Sequence, residues 1–368
     1  MKKTFNTISI IIITIILIKT LVININATSY EVDESHEYSA SYSEYVPDEI
    51  TTVLGESYQL VIDNNQQYMI LKLISNAFTD NKITIIHTLS LSISIILIIS
   101  ICTRIFSSHN PHTFNFLSNL STISLIITQF KPLLSSSAIV INSTYDITTS
   151  LVTSLSSLFL LSGATFSAAS STVSLSLILT IFEQITLYFI PSIVTILTAL
   201  FVAENLYPPL GAIGLVKSLK KHTVSIMAFS LSFLLAIITL NGSLAASKDT
   251  VALRGIKFAT SNLIPFIGAS VSEAMKTVVA EASGMRNTLG ILSFYAILTV
   301  TLPSLITLLL HKLSFRFSGI CASLLGLPTA NNLFNGAADI IDILIAVTTA
   351  TTLITLFTLF IFTNSIPF

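Results

Sequence analysis

The residues best suited to chemistry in this chain are a few carboxylates and amines set against a background almost free of charge. The richest segment runs from Lys257 to Glu281. There Pro265 and Gly268 predict a break in a helix, and Ser270 followed by Glu273 has the spacing of a capping box that restarts one. Beyond the restart, Ser270, Glu273, Thr277 and Glu281 fall on one face at helical spacing with Lys276 beside them, while Val271, Ala274 and Val278 share another face. Interrupted helices at membrane depth are tolerated only where protein or water satisfies the freed backbone groups, and in transporters such breaks line the permeation site. The plainer alternative is that Glu273 caps its helix and pairs with Lys276 while the helix lies in the membrane interface.

A second break is expected where Pro328 and Gly336 precede a helix bearing Asp339 and Asp342 in its first turn, where acids complement the helix dipole. Glu183, inside a long apolar run ahead of Pro191, reads as an intramembrane carboxylate, either functional or held by an interhelical hydrogen bond. Enzymatic signatures are missing: there is no His-Glu-x-x-His, Gly-x-Ser-x-Gly, phosphate loop or dinucleotide fingerprint. His109 and His112 flank Pro111, a poor start for a metal site, and Cys102 and Cys321 read as buried inert thiols. The sequence therefore points to a non-enzyme with no catalytic residue, metal or cofactor. No basic patch with interleaved aromatics supports nucleic-acid binding.

The elements that must position these residues follow from composition. The chain is 52% hydrophobic and only 10% charged, with a mean hydropathy of +0.85, whereas a soluble surface needs about 25% charged residues. Apolar runs near 83–103, 150–168, 172–203, 223–244, 288–311 and 338–363 each suffice to cross about 30 Å of hydrocarbon. A further run, 118–141, carries Lys131-Pro132 at its middle and is expected to be interfacial or broken rather than a clean crossing. Small residues within the runs, such as Ser162-Gly163-Ala164-Thr165, suit close helix packing in lipid.

Lys2 and Lys3, the apolar core Ile8 to Ile18 and Ala27 have the layout of an export signal, cleaved or retained as an anchor. Ten of the 18 acids then lie between Glu31 and Asp80, with no Lys or Arg from Leu21 to Leu71. Partial disorder is expected for 28–50 and an amphipathic helix for Tyr58 to Ile74. The predicted organisation is a signal peptide over 1–27, an acidic, partly disordered exported segment over 28–82, and a multi-spanning membrane domain over 83–368. The fold class is all-α: a polytopic bundle of about six to eight membrane segments with an interrupted or re-entrant helix near 257–283. Lys217, Lys220 and Lys221, with Lys312 and Arg316, are expected on the cytoplasmic side, and 245–287 outside.

The run Lys257-Phe258, Ile264-Pro265, Gly268, Ser272-Glu273-Ala274, Thr277-Val278, Arg286-Asn287 and Gly290 resembles the core signature of the stage III sporulation protein AE family. The order of export signal, polar segment, spans, basic loop, Ile-Pro-x-x-Gly segment and hydrophobic C-terminus is similar as well, and the resemblance covers about 150–365. Lys276 departs from it, standing where the family has an acid, and 281–285 reads Glu-Ala-Ser-Gly-Met where the family has an apolar run. The resemblance implies a multi-pass subunit of the channel or secretion-like complex between mother cell and forespore. It would sit in the mother-cell membrane around the forespore and be required for forespore development. Its partners would be membrane lipid and the other subunits, in a homo- or hetero-oligomer. Read from the residues alone, a stand-alone secondary transporter and a passive membrane scaffold stay open.

Overall fold

The structure is a computed structural model describing residues 46–55, 61, 66–106, 111–161, 173, 180–206, scattered positions between 218 and 236, and 268–364. The expected signal (1–27), Pro265, and most of the 223–244 run lie outside the described residues. Among those described there is no strand, and five helices are long and apolar enough to cross a membrane. These are Tyr68–Ile105, Thr113–Leu158, Thr180–Leu206, Thr288–Leu324 and Pro328–Leu359. The all-α polytopic class read from composition is the fold observed.

A short helix, α1 (Asp48–Leu54), comes first. Val46, Ile50 and Leu54 recur at one-turn spacing and are buried, so this stretch packs on the bundle, while the rest of the 28–50 segment expected to be partly disordered lies outside the described residues. Asp48 and Glu49 in its first turn complement the dipole, and Gly55 ends it at φ 48°. Next comes α2 (Gln66–Phe106), which carries the 83–103 run. Its buried stripe is Thr88, Ser92, Ile96 and Ile99, while Ile83, Ile86, Ile98 and Ile101 are exposed. Small hydroxyl residues such as Thr88 and Ser92 on the inward face allow the close helix approach that packing in lipid favours.

The third helix, α3 (Pro111–Leu161), runs unbroken through Lys131-Pro132. It joins 118–141 to the 150–161 part of the following run in one element, and the expected break is absent. Pro132 cannot donate to the carbonyl of Thr128, which costs about 3 kcal/mol in a helix. Pro132 and Lys131 face outward, however, while Phe130 and Leu133 on either side are buried and hold the axis. A π-turn at Ile185–Phe189 leads into α4 (Ile190–Leu206). That widened turn sits where the Pro191 ring would meet the carbonyl of Leu187 in a regular helix. Tyr145 Oη lies 3.3 Å from Thr180 Oγ1, and Asn119 Nδ2 donates to the Asn205 carbonyl at 3.2 Å. The two contacts set α3 antiparallel to the 180–206 helix.

The last two helices, α5 (Gly268–Leu324) and α6 (Pro328–Asn364), form a hairpin. Leu327 N donates to Ala322 O at 2.9 Å and Gly326 N to Ser323 O at 3.1 Å, the paired bonds of a Schellman turn, with Gly326 at φ 76°. Pro328 then opens α6 at a position where a missing N–H costs nothing. Helix α6 is the centre of the bundle: Leu333, Phe334, Ala337, Ile341 and Leu344 are all buried, and it packs on α3, α4 and α5.

Gly336 does not break α6, contrary to the sequence expectation, but lies within it. Its bare backbone is where Phe201 of α4 packs; a Cβ there would sit 2.0 Å from Phe201 Cε2. Gly336→Ala should therefore cost about 1–3 kcal/mol through overpacking. Thermal unfolding in detergent should show a fall of several degrees that is smaller when Phe201→Ala is present; simple additivity of the two losses would contradict this contact.

Candidate functional site: a charged ladder in the hairpin

Four charged side chains meet between α5 and α6. Lys312 Nζ lies 2.5 Å from Asp342 Oδ1, with side chains 5% and 21% exposed. One turn closer to the hairpin turn, Arg316 Nη2 donates to Asp339 Oδ1 at 2.6 Å. Arg316 Nη1 reaches Asn335 Oδ1 at 2.8 Å, and Asn335 Nδ2 reaches Asn331 Oδ1 at 2.6 Å. The rungs thus run in one polar stripe from Asn331 to Asp342.

Helical spacing builds this stripe. Lys312 and Arg316 are four apart on α5, and Asn331, Asn335, Asp339 and Asp342 recur every three or four residues on α6. Gly319 makes room for it, since a Cβ there would lie 3.2 Å from both Asn331 Oδ1 and Asn335 Nδ2. Beside the stripe the apolar core closes: Phe315 stacks on Phe130 of α3 at 6.0 Å between ring centroids and tilts against Phe334 at 6.2 Å. The planar guanidinium of Arg316 serves two acceptors at once, which an ammonium cannot do in one plane.

Asp339 and Asp342 are accordingly not first-turn acids. The first turn of α6 holds no acid, because the helix starts at Pro328 and runs through Gly336. Their cause is a pair of cations on the neighbouring helix, not the helix dipole. Sequence reasoning noted Lys312 and Arg316 only as topology markers. The available signal was their spacing and that of the two acids on either side of a Leu-Gly-Leu-Pro turn.

Other expected residues are placed apart from the ladder. Gly268 is the first residue of α5, and the backbone is helical at Ser270, Glu273, Lys276, Thr277 and Glu281, whose side chains lie outside the described residues, as does Pro265. Glu183 is half-buried just before the π-turn, with Asp146 of α3 within electrostatic reach. It lies about 27 Å along the helix from Phe201, the residue that meets α6 at Gly336. No group of three or more His, Cys, Asp or Glu that could hold a metal occurs among the described residues.

A family profile described as Stage III sporulation protein AE matches residues 56–365. The chain belongs to the stage III sporulation protein AE family. A 74-residue stretch is 35% identical to "Stage III sporulation protein AE" of Bacillus subtilis (strain 168), covering 20% of this chain and 18% of that relative. No solved structure matches the chain. The family match spans α2 to α6 and so includes both arms of the ladder. This is a sporulation-related, multi-pass membrane protein.

Removing one partner of a buried ion pair strands the other charge, at about 3–5 kcal/mol, whereas replacing both by apolar residues is often nearly neutral. Lys312→Met alone should therefore destabilise the detergent-solubilised protein more than Lys312→Met combined with Asp342→Leu. Denaturation midpoints that fall further in the double variant would mean that the two residues do not act as a pair.

Proposed function

We propose that this protein is a non-catalytic membrane subunit of a channel or secretion-like complex joining mother cell and forespore, residing in the mother-cell membrane around the forespore and required for forespore development. The observation that carries the reading is the ladder itself. A family member whose strongest polar constellation is a self-neutralised hairpin lock offers rigidity and a defined register, not a nucleophile with a base. On this reading the bundle is a framework, and the segment around Pro265, Gly268 and Glu273 lines a path or docks another subunit.

A stand-alone secondary transporter is the second reading, supported by the carboxylates Glu183 and Asp146 on adjacent helices inside candidate spans. It calls for substrate uptake by the purified protein in liposomes that is lost in Glu183→Gln.

Spore counts discriminate the two. In a host that carries this protein, Lys312→Met should lower heat-resistant spores at least tenfold and weaken co-purification of other complex subunits, while the charge-swapped pair Lys312→Asp with Asp342→Lys should recover part of both. Glu273→Gln or Pro265→Ala, at normal protein level, should reduce spores without unfolding the bundle. Wild-type spore numbers and assembly in all of these variants would remove the proposed role.

A further inference from the structure

The hairpin end of the bundle carries an unusual surface. On α5, Leu313, Phe317, Ile320 and Leu324 form a stripe at three- and four-residue spacing, all more than half exposed, with Leu324 at 82%. On the flanking part of α3, Phe116 and Leu120 are exposed as well. Between 317 and 338, and between 113 and 130, there is no acidic or basic residue at all. Further along α5, by contrast, no large apolar side chain of the 288–311 run is exposed, because it faces other helices.

An aqueous loop of this composition would place uncharged, apolar surface in water on two helices at once, which soluble surfaces avoid. The turn itself pairs several of its own backbone groups. Leu325 N, Gly326 N and Leu327 N donate to the carbonyls of Cys321, Ser323 and Ala322, Pro328 has no N–H, and Asn331 N returns to Leu327 O. Each bond of this kind lowers the cost of bringing the turn into hydrocarbon. The charges on the hairpin arms themselves, Lys312, Arg316, Asp339 and Asp342, neutralise one another. The exposed apolar residues spread over both α3 and α5, and the exposed polar residues among them, such as Asn115, Ser323, Thr329 and Asn332, carry no charge.

We propose that the hairpin end, residues 313–338, is immersed in the bilayer with Leu313, Phe317, Ile320 and Leu324 against lipid acyl chains, and does not stand in water as a cytoplasmic loop. The ladder then lies at or within the hydrocarbon boundary, where pairing is obligatory.

The test uses full-length protein in phosphatidylethanolamine–phosphatidylglycerol liposomes, with Cys102→Ser and Cys321→Ser as background and a nitroxide on a single new cysteine. The positions are Leu324→Cys and Phe317→Cys, whose exposed side chains can be replaced with little loss of internal packing, and the buried Phe334→Cys as reference. Oxygen should relax the spin labels at 317 and 324 severalfold more than a water-soluble nickel chelate does, while both reagents stay weak at 334. Strong relaxation by nickel at 324 would place the tip in water, and weak relaxation by both reagents at 317 and 324 would place it against protein. Either result overturns the proposal. Should Phe317→Cys fail to fold, Leu324→Cys alone decides.

Discussion

The whole bundle depends on keeping polar groups satisfied where no water reaches them. An unpaired buried donor or acceptor costs about 1–3 kcal/mol even in proteins surrounded by water. The chain nevertheless buries many hydroxyls, and most of them return to their own helices, Ser137, Ser304, Thr348 and Thr358 being exceptions. Ser92 donates to Thr88 O at 2.8 Å, Thr144 to Val140 O at 2.7 Å, Thr301 to Ile297 O at 2.8 Å and Thr352 to Thr348 O at 2.8 Å. Each bond spans four residues, so no neighbouring helix is needed to complete it. Helix faces rich in Ser and Thr are thereby as self-sufficient as faces rich in Ala, and the helices approach closely without polar penalties.

Charged groups cannot be handled this way, because a lysine or aspartate has no carbonyl of its own helix that cancels a full charge. The hairpin solves this by opposition. Lys312 and Arg316 on one arm face Asp342 and Asp339 on the other, and the short Schellman turn fixes the distance to each. A slip of one residue along either arm would rotate its side chains by about 100° and part every rung. It would also move Gly319 away from the Asn331 and Asn335 amides that occupy its missing side chain. Ion pairs of this kind add little net stability compared with apolar packing; their demonstrated value is in excluding alternative registers.

Spans were legible in the sequence because hydropathy is local: the runs at 83–103, 288–311 and 338–363 each fall inside a continuous apolar helix. Pro328 was read as part of a break ahead of the helix, whereas it opens α6 itself, at the position where a proline's missing N–H costs nothing. The misreadings share one cause. At Pro132 and Gly336 local propensity says stop, and packing of Phe130, Leu133 and Phe201 overrules it. Asp339 and Asp342 looked like dipole acids for the same reason, because their true partners lie on another helix and no local rule names them. The exposed stripe Leu313 to Leu324 was equally hidden: hydropathy reports that residues are apolar but not whether they face lipid or protein.

Charge is distributed unequally between the two ends of the bundle, and the inequality separates the structural from the transport-like features. At the hairpin, every acid has a cation within 2.6 Å. At Glu183 and Asp146 two like charges approach on adjacent helices, and neither has an ion-pair partner among the described residues. The π-turn that follows Glu183 departs from regular α-helical bonding at the same height. The first arrangement suits a framework protein. On the transporter reading proposed above, the acids on α3 and the 180–206 helix are the groups that would take part, while the ladder stays closed by its own ion pairs.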